Sequence, residues 1–385
     1  MKVLALADIH LHGEGFETSQ YKALMTATEL LAPKNIDLVV VCGDIYDTVS
    51  TAQQRLAFKN FLDTCLTHCP VVVLRGNHDQ RGDLLTFHGL KGSKGTCYVI
   101  DKNPEVVELK HLNLNIYGLP HISLPALAQN QDVKTDMTEA GRGILSDLLK
   151  TWSKDIKSSD SVSLALFHGV VAGAQLDNGY IPRANGIYVT NKQLDSLGCP
   201  VACGHYHAYQ KVAKQAWYSG SPSRNSFGEA EGDKGCLVFE HNGTKWLNPE
   251  FVSLNPNKMA LLTAHWLAGN KSLDEVPYKL YVSGFFTDDS ILDTGTRYNG
   301  YHVRLRYHVP VDELAEATEA LPRLLEHFES ADELKVERII EHNNVARCAD
   351  MANTPTVVDG LKIWLEQSGR VSEDYLPLYY STVHN

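Results

Sequence analysis

The sequence predicts an α/β fold, and three observations carry that expectation. Short β-branched runs alternate with helix-like stretches over the first 77 residues, and several of these runs end in Asp, Asn or His beside Gly. The third observation is size: 385 residues, 43% of them hydrophobic, suffice for a sizeable core and suggest two domains.

The elements follow in order. KVLALA (2–7) is an apolar run suited to a buried strand. SQYKALMTATELLA (19–32) sets Leu24, Ala27, Leu30 and Leu31 at helical spacing and stops at Pro33. DLVVVCGD (37–44) is a second strand-like run, Thr51–Leu66 a second helical pattern and PVVVLRGN (70–77) a third strand. Such alternation implies parallel strands joined by crossover helices. LNLNIYGLP (112–120), SVSLALFHG (161–169), CPVACGHYH (199–207) and KGCLVFE (234–240) are also strand-like.

Turn-rich pieces such as SLNPNK and FFTDDS break the pattern between about 253 and 300, which sets a boundary near 255. Beyond it YHVRLRYHV (301–309) alternates as a half-exposed strand, VDELAEATEALPRLLEHF (311–328) reads as a helix and ELKVERIIE (333–341) as another strand. Pro322 is expected to kink or end that helix. The expected organisation is a first domain over 1–255, a smaller α+β domain over 256–348 and a tail over 349–385. In the tail, the amphipathic segment Val357–Gln367, with Trp364 and Leu365, is either a partner-docking helix or a helix packed on its own domain.

Composition narrows the function classes. A net charge of −11 excludes a protein that grips nucleic acid through its overall field, so any such contact needs a local patch, a divalent metal or a partner. MKVLALADIH carries one Lys and an apolar run broken by Asp8, too short for a signal segment. No run nears about 18 apolar residues, so the expectation is a cytoplasmic protein without a membrane span. The eight cysteines are expected to be reduced. Cys65/Cys69 and Cys199/Cys203 would hold a metal only if the two pairs converged; otherwise they are small buried hydrophobes.

The polar residues that close the predicted strands form one pattern. Asp8 and His10 follow the first, Asp44 the second, Asn77, His78 and Asp79 the third, His168 a later one, and His205 and His207 the last. In an open α/β sheet, ligands gather beyond the carboxyl ends of the strands. Two carboxylates, an amide oxygen and four or five imidazoles suit manganese, iron or zinc, and paired ions are typical of phosphoryl hydrolysis. In Asp-x-His and His-x-His the period-two alternation of an extended segment puts both donors on one side. Taken singly, each piece is more simply a cap, a turn or a core histidine; in this order, after successive strands, they point to a dinuclear site. His12, His88, His111, His121, His265, His302, His308, His327 and His342 default to structure or solvent.

In this order D-x-H, G-D, G-N-H-D, H-G and G-H-x-H resemble the calcineurin-type metallophosphoesterase superfamily over residues 1–240. The resemblance implies a metallophosphoesterase β-sandwich flanked by helices, with a smaller C-terminal α+β capping domain. It implies one ion on Asp8, His10, Asp44 and His207 and another on Asp44, Asn77, His168 and His205. It also implies that His78 contacts the phosphate and protonates the leaving oxygen, with Asp79 as its orienting partner. GDIYDT (43–48), the block GHYHAYQKV, WYSGSPSRNSFGE and KGCLVFE, and the strand-helix-strand after 300 further resemble the SbcD-type DNA-repair nucleases of bacteria and phages.

That branch implies a metal-dependent DNA exonuclease, with endonuclease action on hairpins or ends. Its expected cofactors are two divalent ions, manganese first, with Mg2+, Fe2+ or Zn2+ as substitutes, and its expected partners are DNA, an SbcC-type coiled-coil ATPase and a second copy of the chain. Two other readings stand beside it: a small-molecule phosphodiesterase on the same metal scaffold, and a non-catalytic interaction scaffold, which should lack ligands that are all present here. Arg183, Lys211 and Arg224 are candidate phosphate-backbone contacts, weighed against ordinary surface charge. Ser219-Gly220-Ser221-Pro222 is a tight turn or a backbone contact to DNA. The stretch 255–300 matches no motif of the family.

Overall fold

The structure, a computed structural model, describes residues 1–16, 18–122, 137–183, 186–229, 232–254, 258–266, 280–282, 285–287, 298–341, 359, 361–363 and 365. The chain divides into two compact units, residues 1–261 with 300–302, and residues 262–299 with 303–385.

The first unit is built on two six-stranded sheets. Strands β1 (Lys2–Leu6), β2 (Leu38–Cys42), β3 (Val71–Leu74) and β4 (Cys97–Ile100) run parallel, with Val3 opposite Leu38, Val39 opposite Val71 and Val71 opposite Cys97. The crossovers use α1 (Ser19–Thr28) and α2 (Ala52–Leu66), and a capping box between Thr51 and Gln54 starts α2. The second sheet takes β5 (Glu105–Leu109), β6 (Leu114–Leu119) and β7 (Val162–His168). A short pair, β8 (Val170–Val171) and β9 (Tyr188–Val189), follows, and then β10 (Val201–Gly204), β11 (Gln210–Ala213) and β12 (Ala216–Tyr218) complete that sheet. Finally β13 (Gly235–Glu240) and β14 (Glu250–Ser253) return to the first sheet as antiparallel neighbours, β13 of β1 and β14 of β13.

The unbroken apolar runs follow from burial on both strand faces. From β1, Val3 and Ala5 enter a core between the sheets with Val40, Val72, Ile116, Leu164, Leu166 and Ala202. Leu4 and Leu6 point the other way, against Leu24 of α1 and Phe58, Phe61 and Leu62 of α2. A helix absent from the sequence-based expectation, α3 (Met137–Ser158), covers the outer face of the second sheet with Leu145, Leu149 and Trp152 at i, i+4 and i+7, beside α4 (Asn191–Leu197). Cys65 and Cys69 lie in the core under α2, whereas Cys199 and Cys203 lie in the core under α3, so the two pairs do not converge. All seven described cysteines are free and buried.

A third sheet, most of whose residues belong to the second unit, takes the strands β15 (Lys258–Trp266), β16 (Leu280–Val282), β17 (Phe285–Thr287), β18 (Tyr301–Pro310) and β19 (Glu333–Glu341) in the order β16-β17-β15-β18-β19. The helix α5 (Leu314–Leu325) connects β18 to β19. It continues through Pro322 for three residues, where Leu324 is fully buried, so packing overrides the break that proline favours. Of the segment 357–367, only 359, 361–363 and 365 are described, and Leu365 is buried. No helix among the described residues is long and apolar enough to cross a membrane.

Candidate metal centre

Every expected ligand leaves a strand end of one of the two sheets. The loops are stitched by backbone bonds, Asp8 N–H to Gly43 O at 3.0 Å, His10 N–H to Asp44 O at 3.0 Å and Gly169 N–H to Gly204 O at 3.1 Å. A strand ladder aims successive side chains at opposite faces, so turning several donors inward requires unusual backbone. Asp8, His10, Asp44 and His205 accordingly have φ of 53°, 54°, 52° and 115°, a region sparsely used by residues other than glycine. Close approach fixes two glycines. A Cβ on Gly43 would stand 2.2 Å from His168 Nδ1, and one on Gly76 would stand 2.1 Å from Asp44 Oδ1.

The side chains converge in two groups. Ligand atoms of Asp8, His10 and His207 lie within 4.8 Å of one another, as do those of Asp44, His168 and His205. Asp44 stands between the groups, its Oδ2 lying 3.7 Å from His10 Nε2 and 3.4 Å from His168 Nε2. Asn77 Oδ1 closes the second group at 2.9 Å from His168 Nε2 and 2.8 Å from His205 Nδ1.

The residues fit divalent cations. Asp8 Oδ2 and both ring nitrogens of His10 are buried without a hydrogen-bond partner, although buried polar atoms are nearly always satisfied. Burial, and then the neighbouring Asp44, push the Asp8 carboxyl above its ordinary range, against the pull of His168 and His207. Burial lowers His10, and burial with the charge of His168 lowers His205 to about 3, which leaves their imidazoles neutral with lone pairs available. Two carboxylates, an amide oxygen and imidazoles make a hard-to-borderline donor set.

A layer of supporting contacts orients these donors. His168 Nδ1 lies 2.7 Å from Cys42 O; a hydrogen bond donated there aims Nε2 inward. His207 Nδ1 pairs with Glu229 Oε1 at 3.0 Å, and the fully buried Lys234 ammonium lies 2.6 Å from Glu229 Oε2. Lys234 also donates to Asp177 Oδ1 at 2.8 Å and to His207 O at 3.0 Å. Burial works against ionisation of Glu229, but His207 and Lys234 hold its carboxyl down to about 2.

Glu229 and Lys234 carry no role that the sequence alone assigns, although both lie in the blocks SFGE and KGCLVFE. Ser219-Gly220-Ser221-Pro222 belongs to the same layer. Ser221 Oγ donates to Glu229 Oε2 at 3.3 Å, and a Cβ on Gly220, at φ 72°, would meet His207 O at 2.6 Å. The block thus backs the His207 loop.

His78 is exposed, edge-on to His10, with 4.8 Å between ring centroids. Its Nδ1 lies 2.7 Å from Asp47 O, so the orienting contact expected of Asp79 comes from another residue. Asp79 is buried and accepts from Ile45 N–H at 2.9 Å, Tyr46 N–H at 3.1 Å and Gly76 N–H at 2.8 Å. A short carboxylate adjacent in sequence is drawn to the nearest unpaired amides, so Asp79 ties the second and third loops together rather than holding the His78 ring. Asp47, the second acid of GDIYDT, also sets Oδ1 3.3 Å from His10 Nδ1.

His121, expected in structure or solvent, is half-buried beside the second group, its ring stacked 6.4 Å from His205, and burial followed by His168 lowers it to about 4. It follows the end of β6, so the strand-end rule applies to it as well. The three cations expected to contact phosphate have different surroundings. Arg224 donates to Glu229 O at 3.2 Å and Gly232 O at 2.9 Å, Lys211 lies 5.0 Å over the Trp217 ring, and Arg183 is exposed.

A calcineurin-like phosphoesterase family profile matches residues 1–209. The chain is similar to the SbcD subunit of nuclease SbcCD from Staphylococcus epidermidis, 25% identical over 270 residues that cover 66% of this chain and 70% of that one. It is 26% identical to the Bacillus subtilis protein of the same name over 298 residues, covering 72% and 74% of the two chains. Similar solved structures include GAP50 of Plasmodium, at 16% identity and a TM-score of 0.42, covering 66% of this chain and 85% of that one. A dimetal phosphatase from Danio rerio is 13% identical with a TM-score of 0.39, covering 66% and 99%.

Proposed function

Because this chain belongs to the calcineurin-like phosphoesterase family, we propose that it is a metal-dependent DNA exonuclease of the SbcD type. In this reading it also cuts hairpins or ends, works in the cytoplasm as a homodimer, and serves as the nuclease component of a DNA-repair complex with an SbcC-type coiled-coil ATPase. The observation that carries the reading is the convergence of Asp8, His10, Asp44, Asn77, His168, His205 and His207 in two adjoining groups joined at Asp44, with His78 exposed beside them. The similarity to two SbcD proteins, each named as part of nuclease SbcCD, favours DNA as the substrate.

One divalent ion, manganese by preference, would be held by Asp8, His10, Asp44 and His207, and a second by Asp44, Asn77, His168 and His205. When bound, such ions make a water nucleophilic near neutral pH and neutralise phosphate charge. The chain's own residues supply the rest. Asp47 O accepts the His78 Nδ1 proton, which presents Nε2 to the scissile phosphate and to the leaving oxygen that it protonates. Glu229 and Lys234 keep His207 aimed inward. Arg183, Lys211 and Arg224 contact the DNA backbone. The domains divide as residues 1–255 for chemistry, 256–348 for capping DNA and 349–385 for docking the ATPase.

The test is hydrolysis of an end-labelled linear duplex with manganese or magnesium, beside bis-p-nitrophenyl phosphate, with and without a purified SbcC-type ATPase. Manganese-dependent shortening from the ends is expected. Turnover of the generic diester alone, with DNA untouched even when the ATPase is present, would replace this reading with a small-molecule phosphodiesterase.

A further inference from the structure

His265, His308 and Glu341 stand on β15, β18 and β19, three adjacent strands of the second unit's sheet. On β18 the odd positions Val303, Leu305, Tyr307 and Val309 are buried, and the even ones, from His302 to His308, are only partly covered. Along that polar face Arg304 and Arg306 share the one carboxylate of Glu337, at 2.5 and 3.1 Å. The next positions differ. Glu341 Oε1 lies 3.0 Å from His308 Nδ1, and the His308 ring lies beside His265 with centroids 4.5 Å apart and planes 17° from parallel. One ligand atom from each of the three residues lies within 4.8 Å of the other two.

We propose that His265, His308 and Glu341 form a metal site separate from the dinuclear centre, one that takes Zn2+ and staples three strands of the second unit. Two imidazoles and a carboxylate are a familiar zinc donor set, with bonds of about 2.0–2.2 Å. Tetrahedral geometry at those lengths separates ligand atoms by about 3.4 Å. Side-chain rotation on strands already in place brings the three donors to that spacing. The Glu341 side chain is half exposed and that of His308 about a quarter, so an ion can enter from solvent and keep a water as its fourth ligand. Imidazole donors favour zinc and its late transition-metal neighbours over Mg2+ and Ca2+. Each strand contributes one ligand, so binding ties together residues far apart in the chain.

Equilibrium dialysis of the full chain against Zn2+, with metal counted by mass spectrometry, tests this site. The double variant His265→Gln/His308→Gln should hold one zinc fewer per chain than the wild type, with turnover of the generic diester unchanged. In an Asp44→Ala background one zinc should remain, and adding His308→Gln should remove it. Equal zinc content with and without the two histidines overturns the proposal. Should the double variant fail to fold by circular dichroism, Glu341→Gln carries the test: zinc affinity at this site should fall about 10-fold or more, and an unchanged affinity overturns the proposal.

Discussion

His10 and His205 stand on loop backbone with positive φ, buried or half-buried beside carboxylates, whereas His265 and His308 stand on strand backbone and face partly outward. The difference teaches what a number of ligands asks of a fold. Three donors can come from three neighbouring strands without disturbing a ladder. Seven cannot, because strand alternation sends half of them to the wrong face. The first unit therefore carries its ligands at or beyond the strand ends, four of them in conformations that cost about 1–3 kcal/mol each. It secures them with Glu229, Lys234 and Cys42 O, while the histidine pair of the second unit has Glu341 within hydrogen-bonding distance.

That contrast can be broken first at Asp44, the carboxylate between the two groups. Asp44→Ala should release both ions of the first unit and bring turnover to background, read by metal content and diester hydrolysis; retention of two ions would remove Asp44 from its bridging role. The next largest effect is expected at His78. His78→Ala should lower turnover about 10²–10⁴-fold with metal content unchanged, and a parallel loss of metal would make His78 a ligand.

Smaller effects sharpen the comparison. Lys234→Met leaves the buried Glu229 without its ammonium, and a loss of about 3–5 kcal/mol is expected in urea denaturation. Adding Glu229→Gln to it should recover part of that loss. Glu229→Gln alone should weaken metal affinity about 10–100-fold, and no change would mean that His207 needs no support. The smallest effect belongs to Lys211: Lys211→Ala should reduce the salt slope of DNA binding by about one, and an unaltered slope would leave the ammonium to its stacking on Trp217.

Most of the first unit is legible in the sequence because its signals are local. An apolar strand closed by Gly with Asp, Asn or His is visible within ten residues, as in VCGD and VLRGNHD. Partners brought together by the fold leave a weaker trace. Glu229 reaches His207 across 22 positions, and nothing in the spacing assigns an acid in a 3-10 turn to an imidazole. Lys234 at the head of KGCLVFE is a better signal, since a lysine leading an apolar strand has to be paired or exposed. The helix α3 is readable from Leu145, Leu149 and Trp152, yet it carries no strand-end motif to mark it. Asp79 stands next to the His78 ring in sequence, while its oxygens go to the amides of residues 45, 46 and 76, and adjacency alone points to the wrong partner.

The Lys234 ammonium, a brace for His207, also sets how the site comes apart. It binds Asp177, the His207 carbonyl and Glu229 from the start of the strand Gly235–Glu240, whose partner is the first strand of the chain. The loop that carries His207 is thus anchored to an interior strand of a sheet, and it cannot peel away as an independent fragment. Backbone amides bonded to that loop, such as Ser221 N–H to His207 O, should exchange with deuterium only through openings as rare as those of the strand that anchors it.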